Sequence, residues 1–268
     1  MDVRKKIIDR IQPLSNRTAK SSSDLLSDFK SAQIADALVK QAQLPVVREF
    51  HLGDKLLSYC PSLSNETYFD GHSFASGCYL ISTGYVRLLC QNIHLQRQVS
   101  VDLLSAGAVI GADRLFCLMP LSYQAVAASH CHLIQIPYLQ LNTQLERSPQ
   151  LREHLSQTAQ QRERLIFFKR FTQQRFRSSR ILKHLLLPNL IEQRVYAGEY
   201  LYQALPDTGY FWLRAGQVLS QSNRSKEPTV GDSWGYPDAV PEDWVAQTDL
   251  VVYKLPLDSC KTLDLLYL

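Results

Sequence analysis

The chain has 268 residues, of which 45% are hydrophobic and 20% charged, a composition that suits two globular cores of about 100 to 150 residues each and argues against disorder beyond the N-terminus. No apolar run approaches the roughly 18 to 20 residues that span a bilayer, and Met1-Asp2-Val3-Arg4-Lys5-Lys6 opens without a secretory core, so a cytoplasmic chain is expected. The formal charge of +4 is unevenly spread: residues 147 to 183 hold ten Lys or Arg against Glu153 and Glu163, giving +8 there and −4 elsewhere.

Residues 1 to 45 read as a helical appendage, with Ile7, Ile8 and Ile11 on one face, Pro13 as a break and Ser21-Ser22-Ser23-Asp24 as a capping cluster. From Val46 the pattern changes to short β runs bounded by Gly, Ser and Asn: Val46 to Phe50, Tyr79 to Ser82, Val86 to Cys90, Gln98 to Leu104, Gln124 to Ala128 and Leu133 to Ile136. Strands of this length and spacing predict a sandwich or jelly roll over 46 to 148. After Pro137 a helix runs through Leu139, Leu141 and Leu145, and a second starts where Ser148 caps and Pro149 takes the first turn. Residues 149 to 188 form a basic amphipathic connector, and the apolar face from Leu151 to Ile181 offers a surface for a homodimer. A second β set fills 189 to 268 and ends in a short tail from Asp258.

The chain repeats itself. Gly53-Asp54 and Gly198-Glu199 close similar apolar runs, and Gly77 to Val86 aligns without a gap on Gly209 to Val218. Gly107-Ala108-Val109-Ile110-Gly111 then matches Gly231-Asp232-Ser233-Trp234-Gly235, and Leu133-Ile134-Gln135-Ile136-Pro137 matches Val252-Tyr253-Lys254-Leu255-Pro256. Four matches in one order, with offsets shrinking through 145, 132, 124 and 119, predict a duplicated β module with shorter loops in the second copy.

The order of these glycine turns resembles the cyclic nucleotide-binding domain family. Tyr79 to Val86 is similar to its central strand-turn-strand, Ala106 to Gly111 to the lead-in of its phosphate-binding cassette, and Ala127 to Pro137 to its last strand before the carboxyl-terminal helix. The resemblance implies a mainly β fold with flanking helices, as two jelly rolls in tandem joined by a helical segment. It implies ligand positions at Gly107, Gly111, Ala112, Asp113, Arg114 and Ser122. In that family a Glu after the second cassette Gly takes the ribose and an Arg some ten residues on takes the phosphate, yet Gly111 is followed by Ala112 and no Arg or Lys lies between Leu115 and Glu146. Gly235 is likewise followed by Tyr236, with no cation between Tyr236 and Tyr253. A buried phosphate needs a cation, so cyclic AMP and cyclic GMP are not expected as ligands and no cofactor is expected. Asp113 and Arg114, one and two places late, would need a bulge to act, and Trp234, Tyr236 and Trp244 are expected to fill the second pocket.

A DNA-binding regulator of the catabolite-activator type needs a recognition helix after the module, and nothing after Cys260 supplies one, so DNA is not an expected partner. Phe167-Phe168-Lys169, Val195 to Glu199 and Phe211 to Val218 resemble the regulatory region ahead of the peptidase in cyanobacterial peptide-exporting ABC transporters. That resemblance implies a non-enzymatic regulatory module with a protein partner, such as a membrane transporter, and only indirect membrane contact. Two alternatives stand beside it: a small-molecule sensor for a cyclic nucleotide or dinucleotide, and a polyanion binder through residues 147 to 183, with Arg170, Arg175 and Arg177 as contacts. No catalytic motif is found. Six cysteines without a C-x-x-C pair predict buried free thiols. His130 and His132 share a strand face with Cys131 opposite, but no third ligand follows at usable spacing, so no metal is expected. Phe211 and Trp212, matching Tyr79 and Leu80, are expected in the core rather than stacked on bases.

Overall fold

The computed structural model describes residues 46–59, 68–69, 72–73, 77–117, 120–206, 208–222 and 226–259. The predicted appendage 1 to 45, with its serine cap, lies outside them, as do Cys60 and most of the tail. The described residues divide into two compact units, one within 46–91 and 98–163, the other within 92–97 and 164–259.

In the first unit, β1 (Val46–Phe50), β10 (Cys131–Pro137), β5 (Gly77–Thr83) and β8 (Val109–Ile110) form one antiparallel sheet in the order β1-β10-β5-β8. A second sheet runs β4-β3-β2-β9-β6-β7, from His72–Ser73 through Tyr68–Phe69, Lys55–Tyr59, Tyr123–Ala127 and Val86–Asn92 to Arg97–Leu104. Along β6 the residues Val86, Leu88, Cys90 and Asn92 are buried while Arg87 and Gln91 are exposed, the period-2 signature of a strand with one wet face. β5 loses that alternation because both of its faces are covered. Cys78 and Leu80 on one face join Ile134, Ile136 and the helical residues Leu141, Leu145, Leu151 and Leu155 in one apolar cluster. Tyr79 and Ile81 are buried on the other face.

Helix α1 (Asp113–Phe116) is a single turn, and α2 (Tyr138–Arg147) follows β10 directly. α3 (Pro149–Phe171) starts as predicted, with Ser148 Oγ accepting from Leu151 N at 3.3 Å. Its buried positions Leu151, Leu155, Ala159, Arg162 and Ile166 recur every three or four residues and so make one face. Thr172 ends it, its Oγ1 donating to Phe168 O and accepting from Gln174 N.

The second unit carries a sheet in the order β11-β16-β12-β14, made of Ile191–Val195, Leu250–Pro256, Gly209–Ala215 and Ser233–Gly235. A two-stranded ribbon pairs β13 (Val218–Ser220) with β15 (Trp244–Ala246). Phe211, Leu213 and Val252 pack with Trp234, Trp244 and Leu250 on one side. On the other side Phe168 meets Trp212 edge-on at 5.2 Å and Phe167 meets Tyr253 at 5.2 Å, so the last turns of α3 cover this sheet. Tyr79, Leu80, Phe211 and Trp212 are all buried, as the sequence predicted. Phe176 is exposed, unlike the other phenylalanines of the connector at 167 and 168.

The hydrogen bonds of the two units correspond at matched positions. Gly53 N and Gly198 N donate to Ala127 O and Ala246 O, and Ala127 N and Ala246 N donate back to Asp54 O and Glu199 O. Gly107 N and Gly231 N donate to Ile81 O and Leu213 O. Gly84 and Gly216 adopt φ of +84° and +98°, and a Cβ at either would strike the carbonyl of His130 or Asp249 respectively, so only glycine fits the turn.

Candidate functional site

The cassette lies entirely in the first unit. β8 delivers the chain to Gly111, whose φ of +85° turns it into α1, and Asp113 begins that helix. The Asp113 carboxylate is buried. Arg162, from α3, donates through one terminal nitrogen to both of its oxygens at 3.0 Å and through the other to Val109 O at 2.7 Å. Tyr123, from β9, donates to Asp113 Oδ2 at 2.6 Å and accepts from Gly111 N at 3.1 Å. Tyr138, the first residue of α2, donates to Gly111 O at 2.6 Å. Three elements distant in sequence therefore hold the cassette turn.

Burial by itself pulls the Arg162 pKa down, but the Asp113 charge, then Tyr123 and Asp102, outweigh it and leave it raised. Burial, then the Asp113 charge, pushes the Tyr123 phenol well above its ordinary value, so it stays a donor. A charged pair this dry is stable because its donors and acceptors are matched, and either partner alone would be a buried uncompensated charge.

This geometry adds to the reading of the sequence. The cassette does hold a cation, but it comes from α3 rather than from the stretch after Leu115. Asp113 is engaged by that cation, and Arg114 points at the face of the Tyr138 ring, 5.0 Å from its centroid. Ala112 belongs to the apolar cluster under the sheet. Gly107 makes its turn against Ile81, and Ser122 is partly buried just before β9. The spacing after Gly111 did not point to Arg162. The available signal was a lone arginine on the apolar face of a helix, where an unpaired charge is not tolerated.

In the second unit Trp234 and Trp244 are core residues as expected, stacked edge to face at 5.8 Å, but Tyr236 is exposed. No helix follows Gly235; Tyr236 N instead donates to Gly209 O. A separate cavity of about 390 Å³ in this unit is lined by His94, Phe171, Gln174, Tyr210, Trp212 and Trp244.

The basic connector is largely engaged with itself. Lys169 is buried and its ammonium donates to Arg175 O and Arg177 O. Arg170 covers the Phe171 ring, Arg175 covers Phe176 and donates to Thr172 O, and Arg170, Arg175 and Arg177 are all partly buried. Arg162 pairs with an acidic side chain, that of Asp113.

The free cysteines Cys78, Cys90 and Cys131 are buried as expected, and Cys117 is partly so. His130 is exposed beside the buried Cys131, and His132 meets Thr83 Oγ1 through Nδ1 at 2.8 Å. The structure adds what the spacing did not show: Glu49 and His51 of the neighbouring chain segment stand beside His130.

Among known proteins, the cyclic nucleotide-binding domain model matches residues 64–148. No curated protein matches the chain. Solved structures similar to it include the regulatory domain of Toxoplasma gondii PKA with cAMP, at 12% identity over 93% of this chain and 97% of that one, with a TM-score of 0.33. The Thermus thermophilus catabolite activator protein is 19% identical over 50% of this chain and 55% of its own, with a TM-score of 0.36. The c-di-GMP responsive regulator CLP of Xanthomonas campestris is 14% identical over 52% and 62%, at 0.38. Residues 64–148 are thus similar to the cyclic nucleotide-binding domain, and the described residues are mainly β with flanking helices. Among the described residues no helix is long and apolar enough to cross a membrane.

Proposed function

We propose that this chain is a non-enzymatic regulatory protein built from two copies of a cyclic nucleotide-binding-type module, whose first cassette is closed by its own arginine. The Asp113–Arg162 pair is the observation that carries this reading. A nucleotide phosphate would have to displace Asp113 from the arginine nitrogen that both its oxygens share in a dry site, where the Asp113 charge already offsets that of Arg162. The matched hydrogen bonds of the two units support the duplication. The regulator works through a protein partner, and the resemblance to the region ahead of peptide exporters names a membrane transporter as the partner class.

Calorimetry on the full chain with cyclic AMP and cyclic GMP tests the reading. Neither should give a saturable heat at micromolar concentration, and stoichiometric binding of either would overturn it. One observation favours the sensor alternative: Arg162 is a cation within the cassette, so an anion able to replace the Asp113 carboxylate would find it there. A cyclic dinucleotide belongs in the same titration. If it binds, Arg162→Met should remove the binding while Arg114→Met leaves it.

A further inference from the structure

We infer that Glu49, His51 and His130 form a binding site for a single divalent transition-metal ion, zinc in the first place, on the exposed edge of the first unit. The antiparallel register of β1 and β10 sets Glu49 opposite His132 and Phe50 opposite Cys131. His51 and His130 lie one residue beyond the paired strand ends, where the His130 ring lies 5.1 Å from that of His132 while Cys131 turns into the core. One donor atom from each of Glu49, His51 and His130 lies within 4.8 Å of the other two. His130 Nε2 is 2.6 Å from Glu49 Oε1, and the His51 and His130 rings are parallel at 5.3 Å between centroids.

Two imidazoles and a carboxylate are the donor set that suits zinc, copper(II) or nickel. Four-coordinate zinc with bonds of about 2.0 to 2.1 Å needs donors about 3.3 Å apart. All three side chains are exposed, so rotation about their own bonds closes the difference without moving the sheet. The backbone beneath them is held: Tyr85 N donates to Ser129 Oγ, which donates to His130 O. Asp54 Oδ2 accepts from His51 N at 2.7 Å and so fixes the backbone at His51. Three protein donors leave a position for water, so the site is open and exchangeable.

The second unit shows that the turn itself does not require these residues. The corresponding positions there are Arg194, Tyr196 and Asp249, and Asp249 Oδ1 accepts from Ala197 N at 3.0 Å instead. The same backbone frame thus exists without a donor set, and the chain should bind one ion rather than two.

Titration of the full chain with zinc alone, followed by calorimetry, tests the site. One saturable equivalent is expected. Loss of an outer partner in such sites already weakens binding by about 10- to 100-fold, so His51→Gln and His130→Gln should each weaken it at least about tenfold, whereas the distant His184→Gln should not. Circular dichroism of each variant establishes that it is folded. Absence of saturable zinc binding, or binding unchanged in the double variant of His51 and His130, would overturn the inference.

Discussion

The residue that organises the candidate site is Arg162, and its worth is measurable. Arg162→Met leaves the Asp113 carboxylate buried with Tyr123 and Gly111 as its neighbours, which should cost about 3 to 5 kcal/mol in urea unfolding. Replacing both members, Asp113→Leu with Arg162→Met, should recover most of that loss, because an apolar pair carries no desolvation penalty. Recovery would show that the pair serves the closed cassette rather than stability. The buried hydroxyl and thiol groups nearby add a pH dependence. Burial pushes the Cys78 thiol up to about 12 and raises the Tyr79 and Tyr123 phenols, so in each case the unfolded chain ionises first. Groups raised in the folded state give stability that is complete below their unfolded values and lost as pH climbs through the folded ones. Thermal unfolding should therefore show a falling midpoint above about pH 9, the ordinary thiol range, and native Cys78 should resist alkylation at pH 8.

At the scale of elements, the end of α3 depends on a capping group supplied from outside the helix. Its last carbonyls at Lys169 and Arg170 accept from Asn92 Nδ2 at 2.7 and 3.2 Å, and Phe171 O meets His94 Nε2 at 2.8 Å, all within the second unit. A helix leaves four carbonyls without internal partners at this end. Asn92→Ala removes the buried donor and should destabilise the second unit by about 1 to 3 kcal/mol, read as loss of amide exchange protection from Phe167 to Phe171. An unchanged exchange pattern would mean that water replaces the amide freely. Asn92 looked like an ordinary turn residue at a strand end in the sequence, because its partners lie 77 and 78 positions away.

For the whole molecule, charge is the feature that composition made most suggestive. Arg162 and Lys169 are buried, and the arginines at 170 and 175 lie on rings. Fewer cations are therefore free to contact phosphates than the +8 of residues 147 to 183 implies, and scattered exposed charges are screened over roughly 8 Å at physiological salt. The chain should elute from heparin at or below about 0.15 M salt. Retention beyond that, lost on charge reversal at Arg170 and Arg177, would restore the polyanion reading.

The sequence by itself determined the local matters: six strand runs, the start of α3 at Ser148-Pro149, the paired glycine turns, and the burial of Phe211 and Trp212. These are set by period, by capping chemistry and by backbone conformations that only glycine enters, all written within a few residues. It also showed that the cassette-like run from Ala106 to Gly111 has no neighbouring cation between Leu115 and Glu146. What filled that place was decided by tertiary structure. Arg162 reaches Asp113 across 49 positions, Asn92 reaches Lys169 across 77, and His51 reaches His130 through the pairing of β1 with β10. Spacing in sequence cannot register such meetings, because they depend on which faces the strands and helices turn toward one another once the core has closed.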